Sequence, residues 1–156
     1  MAARTDNSIV IDAPLDVVWE LLNDVENWPK LFTEYANAEI LERRGNTTQF
    51  RLTTFPDPEY DGTVWTWVSE RTVDPETHSV KAHRIETGPF EFMNIEWYFE
   101  PADGGTLIRW VQEFSMKPTA PADDETAEKY MNERTAEQMS AIKERVEEAA
   151  RAHSAS

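Results

Sequence analysis

Cysteine is absent from this 156-residue chain, which removes a disulfide framework, a thiolate nucleophile and any cysteine-based metal site. The three histidines, His78, His83 and His153, are too scattered to form a metal site and read as ordinary surface residues. Glycine is scarce, and its one pair, Gly104-Gly105, has no helix after it, so it reads as a hairpin turn and not a phosphate loop. Basic residues number 15 against 30 acidic ones, for a formal charge of −15. Such a chain is repelled by nucleic acid and by anionic membrane surfaces, and it is kept in solution. No apolar run approaches the roughly 18 residues of a membrane span, and the opening MAARTDNSIVIDAP has no apolar signal core. A cytoplasmic protein is expected.

What the chain does have is tryptophan, six in a length suited to one domain that buries about two-thirds of its unfolded surface. Ser8 to Ile11 read as a first strand. Asp12-Ala13-Pro14 then opens a helix, with Asp12 as the expected N-cap and Val17, Val18, Leu21 and Leu22 as its apolar face. Asn27-Trp28-Pro29 breaks that helix, and Leu31, Phe32 and Tyr35 follow in a second short helix or turn. Strands are expected near 38–43, 47–55, 62–73, 78–88, 92–101 and 105–116, separated by Gly, Pro, Asn and Asp clusters. Asp123-Asp124-Glu125 starts a long terminal helix reaching about Ala152. Met131, Thr135, Gln138, Ile142, Val146 and Ala149 recur on it at three- and four-residue steps, giving one apolar stripe. Residues 1–152 are expected to form one domain and 153–156 a frayed tail.

The alternation Trp65, Trp67, Ser69, Arg71 stands out, because residues two apart on a strand share a face. A closed core would place aliphatic side chains there, and an unpaired buried guanidinium is expensive. Two indoles, a hydroxyl and a cation instead suit a lined cavity holding a flat, oxygen-rich molecule. Met93, Ile95, Trp97 and Phe99 alternate on one later strand, and Ile108, Trp110, Gln112, Phe114 and Met116 on the next. Arg84 and Glu86 share parity between them. Parity does not say which face is covered: on the reversed assignment Arg71 is a solvated strand residue, and in a separate reading the tryptophans simply fill a core. A curved antiparallel sheet must cover its concave face, and only the terminal helix is long enough to do so.

The stretches TDNSIVIDAP, NDVENWPKLFTEYA, GTVWTWVSER, HRIETGPFEFMNIEW and RWVQEFSMKP resemble the bacterial polyketide aromatase/cyclases of the tetracenomycin and spore-pigment type, within the START/Bet v 1-like superfamily. The likeness runs over nearly the whole chain in the same order. It implies an α+β helix-grip fold: a seven-stranded curved antiparallel sheet around a long C-terminal helix, two short helices between strands 1 and 2, and an interior cavity. It also implies action on a linear poly-β-ketone carried by an acyl carrier protein, with first-ring aldol closure, leaning to carbon 9 onto carbon 14, and dehydration to an aromatic ring. By the same resemblance Arg71 and Tyr35 take the catalytic positions. Trp28, Phe32, Trp65, Trp67, Ser69, Arg84, Phe90, Met93, Trp97, Trp110, Gln112 and Gln138 take the substrate-binding ones. Some relatives have asparagine at position 138, and the Pro56–Asp61 loop is slightly longer here.

A poly-β-ketone can close in several wrong ways, so selecting one conformer is the main task. Arg71 stays protonated and cannot act as a base; it suits an oxyanion. Tyr35 suits proton donation. Glu34, beside Tyr35, and a bound water are the alternatives for a base, and the residues do not choose between them. No metal, nucleotide or organic cofactor is expected. An acyl carrier protein, usually acidic itself, would need a basic patch here, and Arg43, Arg44, Lys81 and Arg84 are candidates by composition. Two other readings stay open: a ligand carrier without chemistry, and a chaperone that folds the nascent chain while the ring closes unaided.

Overall fold

The computed structural model describes residues 3–57 and 61–155, with only the backbone for the last three. Strand β1 (Ala3–Ile11) leads through α1 (Leu15–Asn23), a 3-10 turn (Val25–Asn27) and α2 (Trp28–Leu31) to β2 (Tyr35–Arg44). β3 (Thr47–Thr54), β4 (Thr66–Asp74), β5 (Ser79–Arg84), β6 (Phe90–Ala102), β7 (Gly105–Met116) and α3 (Asp124–Ala155) follow. The seven strands form one antiparallel sheet in the order β1-β7-β6-β5-β4-β3-β2. The chain thus meanders from β2 to β7, and β1 joins the far edge. α3 packs across the sheet against β1 and β7 and touches α1 and α2. This is the expected helix-grip architecture. Register shifts at Tyr35/Asn37, Ile40/Glu42 and Phe90/Phe92 supply the bulges that bend strands and strengthen local twist.

The differences from expectation lie at element ends. α1 begins at Leu15, with Pro14 as an extended cap residue (ψ 149°) that makes no side-chain cap, so Asp12 is not the N-cap. The backbone N–H of Asp12 instead donates to Glu147 Oε2 at 2.7 Å. Of the expected apolar face of α1, Val18 and Leu22 are buried while Val17 and Leu21 are half-buried. The second short helix is divided into a 3-10 turn and a single α turn because Pro29 sits at its start. β1 begins earlier and β2 starts at Tyr35, whereas β4 starts later, at Thr66. β5 stops at Arg84, where the N–H groups of both Ile85 and Glu86 turn to the one carbonyl of Val68. That irregularity breaks parity, and Glu86 points outward to pair with Arg51 at 2.9 Å. The terminal helix continues to Ala155, beyond the expected end at Ala152, and Ser156 lies outside the described residues.

α3 itself is divided along its length. Asp123 Oδ1 accepts the N–H of Thr126 at 2.8 Å and starts the helix. Its first half carries Ala127, Tyr130, Met131, Arg134 and Thr135 toward the sheet. Its second half buries Met139, Ile142, Val146 and Ala150 in a core with Ile11, Val18, Leu22 and Ile108. Ala150 is buried and Ala149 exposed, contrary to the expected stripe. From Ile142 and Val146 a further step of four keeps the face, whereas a step of three rotates off it.

The β6–β7 hairpin turns through Asp103 and Gly104, at φ +22° and +83°. Gly105 follows for a different reason: a Cβ there would lie 2.3 Å from the carbonyl oxygen of Ile11. That backbone atom sits in the β1–β7 ladder and cannot swing aside. Gly105→Ala is accordingly expected to destabilise the fold by about 2–3 kcal/mol, read as a lowered urea midpoint. An unchanged midpoint would contradict the close approach.

Candidate active site

Between the first half of α3 and the sheet lies a pocket of about 330 Å3, within the range of small-molecule sites. Its walls are aromatic. Trp97 and Trp110 oppose each other across β6 and β7 and stack with ring centroids 4.4 Å apart and planes 21° apart. Trp28, Phe32, Tyr35 and Phe50 form a second group from α2 and the first strands, with Phe32 4.9 Å from Tyr35 and Trp28 5.4 Å from Phe50. Phe32 meets Trp110 edge-on at 6.1 Å and so joins the groups, and Tyr35 meets Trp67 edge-on at 6.0 Å.

The row Trp65, Trp67, Ser69, Arg71 does face this pocket, as do Trp28, Phe32, Tyr35, Arg84, Phe90, Trp97, Trp110, Gln112 and Gln138. Met93 is the exception. It is buried with Ala3, Phe90, Phe114 and Ala127 at the end of the sheet, where packing closes the hollow before reaching it. Gln138 lines the pocket, but its amide is held by Thr33: Nε2 donates to Thr33 Oγ1 and Oε1 accepts the Thr33 N–H, both at 2.8 Å. It works as a clasp between α3 and the segment before β2. Gln112 Oε1 accepts from Thr5 and Thr135 hydroxyls at 2.9 and 3.0 Å, which ties β7 to β1 and α3.

Two cations enter the pocket in different ways. Arg71 is 3% exposed and has no carboxylate partner among the described residues. Its Nη1 donates to Asn23 Oδ1 at 2.8 Å, and its Cζ lies 5.1 Å from the Trp28 ring. Burial alone lowers its pKa to about 9, so it is charged at neutrality. Arg84 is half-buried and is held between aromatic faces, with Cζ 4.0 Å from the Trp67 ring and 4.7 Å from Phe90. Burial lowers its pKa to about 10, against the opposing pull of Tyr35 and Glu34. Its Nε is buried without a hydrogen-bond partner, as is Nε1 of Trp110.

Sequence reasoning missed the polar group at the mouth. Asp57, after β3, lies within 3.0 Å of Arg134 Nη2 and accepts the Tyr130 hydroxyl at 2.8 Å, while Arg134 Nε donates to Tyr130 at 3.1 Å. The helix side chains looked like part of a solvated face, and no local spacing links them to position 57. Glu34 also lines the pocket. Desolvation raises its pKa, opposed by Arg134 and Arg84. Desolvation and then the Glu34 charge raise that of Tyr35, which keeps its phenol protonated. Of the residues expected to supply basic charge, Arg43 pairs with Glu26 at 3.1 Å, Arg44 reaches Glu42 and Glu70 at 3.3 and 3.4 Å, Lys81 is exposed on β5, and Arg84 is inside the pocket. Among the described residues no group of acidic or histidine side chains could hold a metal ion, and no helix is long and apolar enough to cross a membrane.

A family model described as polyketide cyclase / dehydrase and lipid transport matches residues 2–147. A Streptomyces cyaneus protein provisionally named a polyketide cyclase is 51% identical over 148 residues, which cover 95% of this chain and 96% of that protein. A Streptomyces halstedii protein of the same provisional name is 60% identical over 111 residues, covering 71% of this chain and all of that protein. Among solved structures, the Zhui aromatase/cyclase from Streptomyces sp. R1128 superposes with a TM-score of 0.80 at 21% identity, covering 97% of this chain and 94% of that one. That last likeness concerns the fold.

Folding leaves Arg71 charged in a place that penalises charge, and the pH dependence follows from that. Above about pH 9, and up to the ordinary arginine range, the unfolded chain holds a proton on Arg71 that the folded chain lacks, so stability from this group rises with pH there. At pH 7 both states are protonated and the whole burial penalty stands. Arg71→Met is therefore expected to leave stability unchanged or to raise it by about 1–3 kcal/mol, measured by urea denaturation at pH 7. A large loss would mark the guanidinium as a structural element instead.

Proposed function

The chain belongs to the polyketide cyclase / dehydrase and lipid transport family, and on that premise we propose that it closes and aromatises the first ring of a linear poly-β-ketone. The observation that carries this reading is the buried, carboxylate-free Arg71 in an aromatic pocket. A carrier for an apolar lipid gains nothing from such a cation. An enolate or alkoxide passing through the pocket does, because a fixed positive charge in a water-poor site stabilises developing oxyanions strongly. The substrate arrives as the thioester of an acyl carrier protein, and the ring joins carbon 9 to carbon 14; both follow from the resemblance of the sequence.

The tryptophan walls hold one conformer of the flexible chain, bringing a methylene carbon against the carbonyl it must attack. Burial raises the proton affinity of Glu34 above that of an ordinary carboxylate, and in this reading it removes a proton from that methylene. The enolate carbon forms the new C–C bond, and the carbonyl electron pair becomes an alkoxide facing Arg71. Tyr35 protonates it to a hydroxyl. Glu34 returns its proton to the Tyr35 phenolate. Glu34 then accepts a second proton from the neighbouring carbon while Tyr35 protonates that hydroxyl as it leaves as water, and the same transfer from Glu34 to Tyr35 restores both. Enolisation of the remaining ring ketones completes the aromatic ring. Arg84, between Trp67 and Phe90, offers a second cation for oxygens further along the ketide. No cofactor enters these steps. A second reading, a binding protein that only folds the chain, draws on the aromatic walls alone; it predicts tight binding whichever polar residue is removed.

In a reconstituted polyketide synthase, Arg71→Ala is expected to shift product from the correctly cyclised compound to shunt products by about 100-fold, with circular dichroism showing an intact fold. Tyr35→Phe should act in the same direction. If both variants keep the wild-type product profile, the proposed chemistry is wrong. Glu34→Gln should remove the acidic limb of the pH–rate profile, which the raised carboxyl otherwise places above the usual Glu range; retention of that limb would assign the base elsewhere.

A further inference from the structure

Arg71 is held by an amide where a carboxylate would bind it more tightly. Asn23 is the last residue of α1, and its Oδ1 accepts from Arg71 Nη1 at 2.8 Å. The other end of the same amide, Nδ2, is buried with no hydrogen-bond partner among the described residues. An orphaned buried donor costs about 1–3 kcal/mol. Aspartate at this position would present no orphan donor and would add an ion pair, so stability alone does not account for asparagine. Among the described residues Arg71 pairs with no carboxylate. The Trp28 face lies 5.1 Å from its Cζ, and α1 carries no basic residue in its last turn, leaving the negative end of that helix to the guanidinium. Asn23 also lines a second cleft, whose other residues include Glu20, Asp24 and Arg43. Burial is the one influence that moves the Arg71 pKa.

We propose that Asn23 is a positioning residue for Arg71: a neutral oxygen aims the guanidinium into the pocket while leaving its charge uncompensated until an oxyanion forms on the substrate. This rests on the role given to Arg71 above. A carboxylate at position 23 would neutralise the cation in the resting state, and the developing oxyanion would then compete with a permanent partner.

The test compares Asn23→Asp, Asn23→Ala and Arg71→Ala, using the purified full chain with a synthase that supplies tethered poly-β-ketone. Correct product is quantified by liquid chromatography and mass spectrometry, stability by the thermal midpoint, and Arg71 mobility by its guanidinium nitrogen resonances. Asn23→Asp is expected to raise the midpoint yet lower correct product about tenfold or more. Asn23→Ala should lower product only about threefold, by loss of aim, with faster guanidinium rotation. If Arg71→Ala loses product while Asn23→Asp equals wild type, or is no more damaging than Asn23→Ala, the inference on Asn23 falls alone. If Arg71→Ala itself keeps the wild-type profile, the proposed function falls and this inference with it. Should Asn23→Asp not fold, Asn23→Ala decides: wild-type product with unchanged resonances overturns the proposal, and partial loss with freed rotation supports it.

Discussion

The structure turns on keeping one guanidinium charged in a place that has little water. Burial pulls the pKa of Arg71 to about 9, and among the described residues no neighbouring carboxylate opposes that pull. Its surroundings offer an amide oxygen, an indole face and a helix end, which supply negative potential in fractions of a charge. The tryptophans are needed because they exclude water without adding ions, and the sheet is needed because it holds them in register. Thermodynamically this is an inefficient core and a serviceable site, an arrangement in which stability is exchanged for function.

The two pocket cations illustrate different solutions to the same electrostatic problem. Arg84 sits between the rings of Trp67 and Phe90, so its charge is spread over two quadrupoles and its head lies within reach of Glu34 and Tyr35. Arg71 is more completely enclosed and has no anionic neighbour. The registers of β4 and β5 place Arg84 opposite Ser69 and Arg71 opposite Ala82, so the two backbones are diagonal neighbours about 7–8 Å apart. Their side chains separate toward Trp67 and Trp28.

Much of this was legible in the chain because a strand has the simplest side-chain period. Trp65, Trp67, Ser69 and Arg71 share a face for any strand through them, and Trp97 meets Trp110 once β6 and β7 form a hairpin. The failures came where period stops being sufficient. Alternation put Met93 on the covered face correctly, but the position at which that face changes from hollow to solid depends on Phe114 and Ala127 packing from elsewhere. Glu86 was misplaced by an irregularity one residue after β5, which no alternation pattern encodes. Ala149 and Ala150 differ by 100° of helix rotation, within the drift of a stripe read over five turns. The Asp57, Tyr130 and Arg134 group was invisible because it joins a loop to a helix face that reads as solvated until the two are folded together.

The lengthwise division of α3 has an evolutionary corollary. Its later turns, through Met139, Ile142, Val146 and Ala150, anchor the helix in aliphatic packing, whereas its earlier turns, around Ala127, Met131 and Thr135, only roof the hollow. A lineage can therefore vary the roof, and with it the size and curvature of the guest admitted, while the anchor preserves folding. Descendants of one ancestral scaffold could diverge in the guest they accept through a few exchanges on three helical turns.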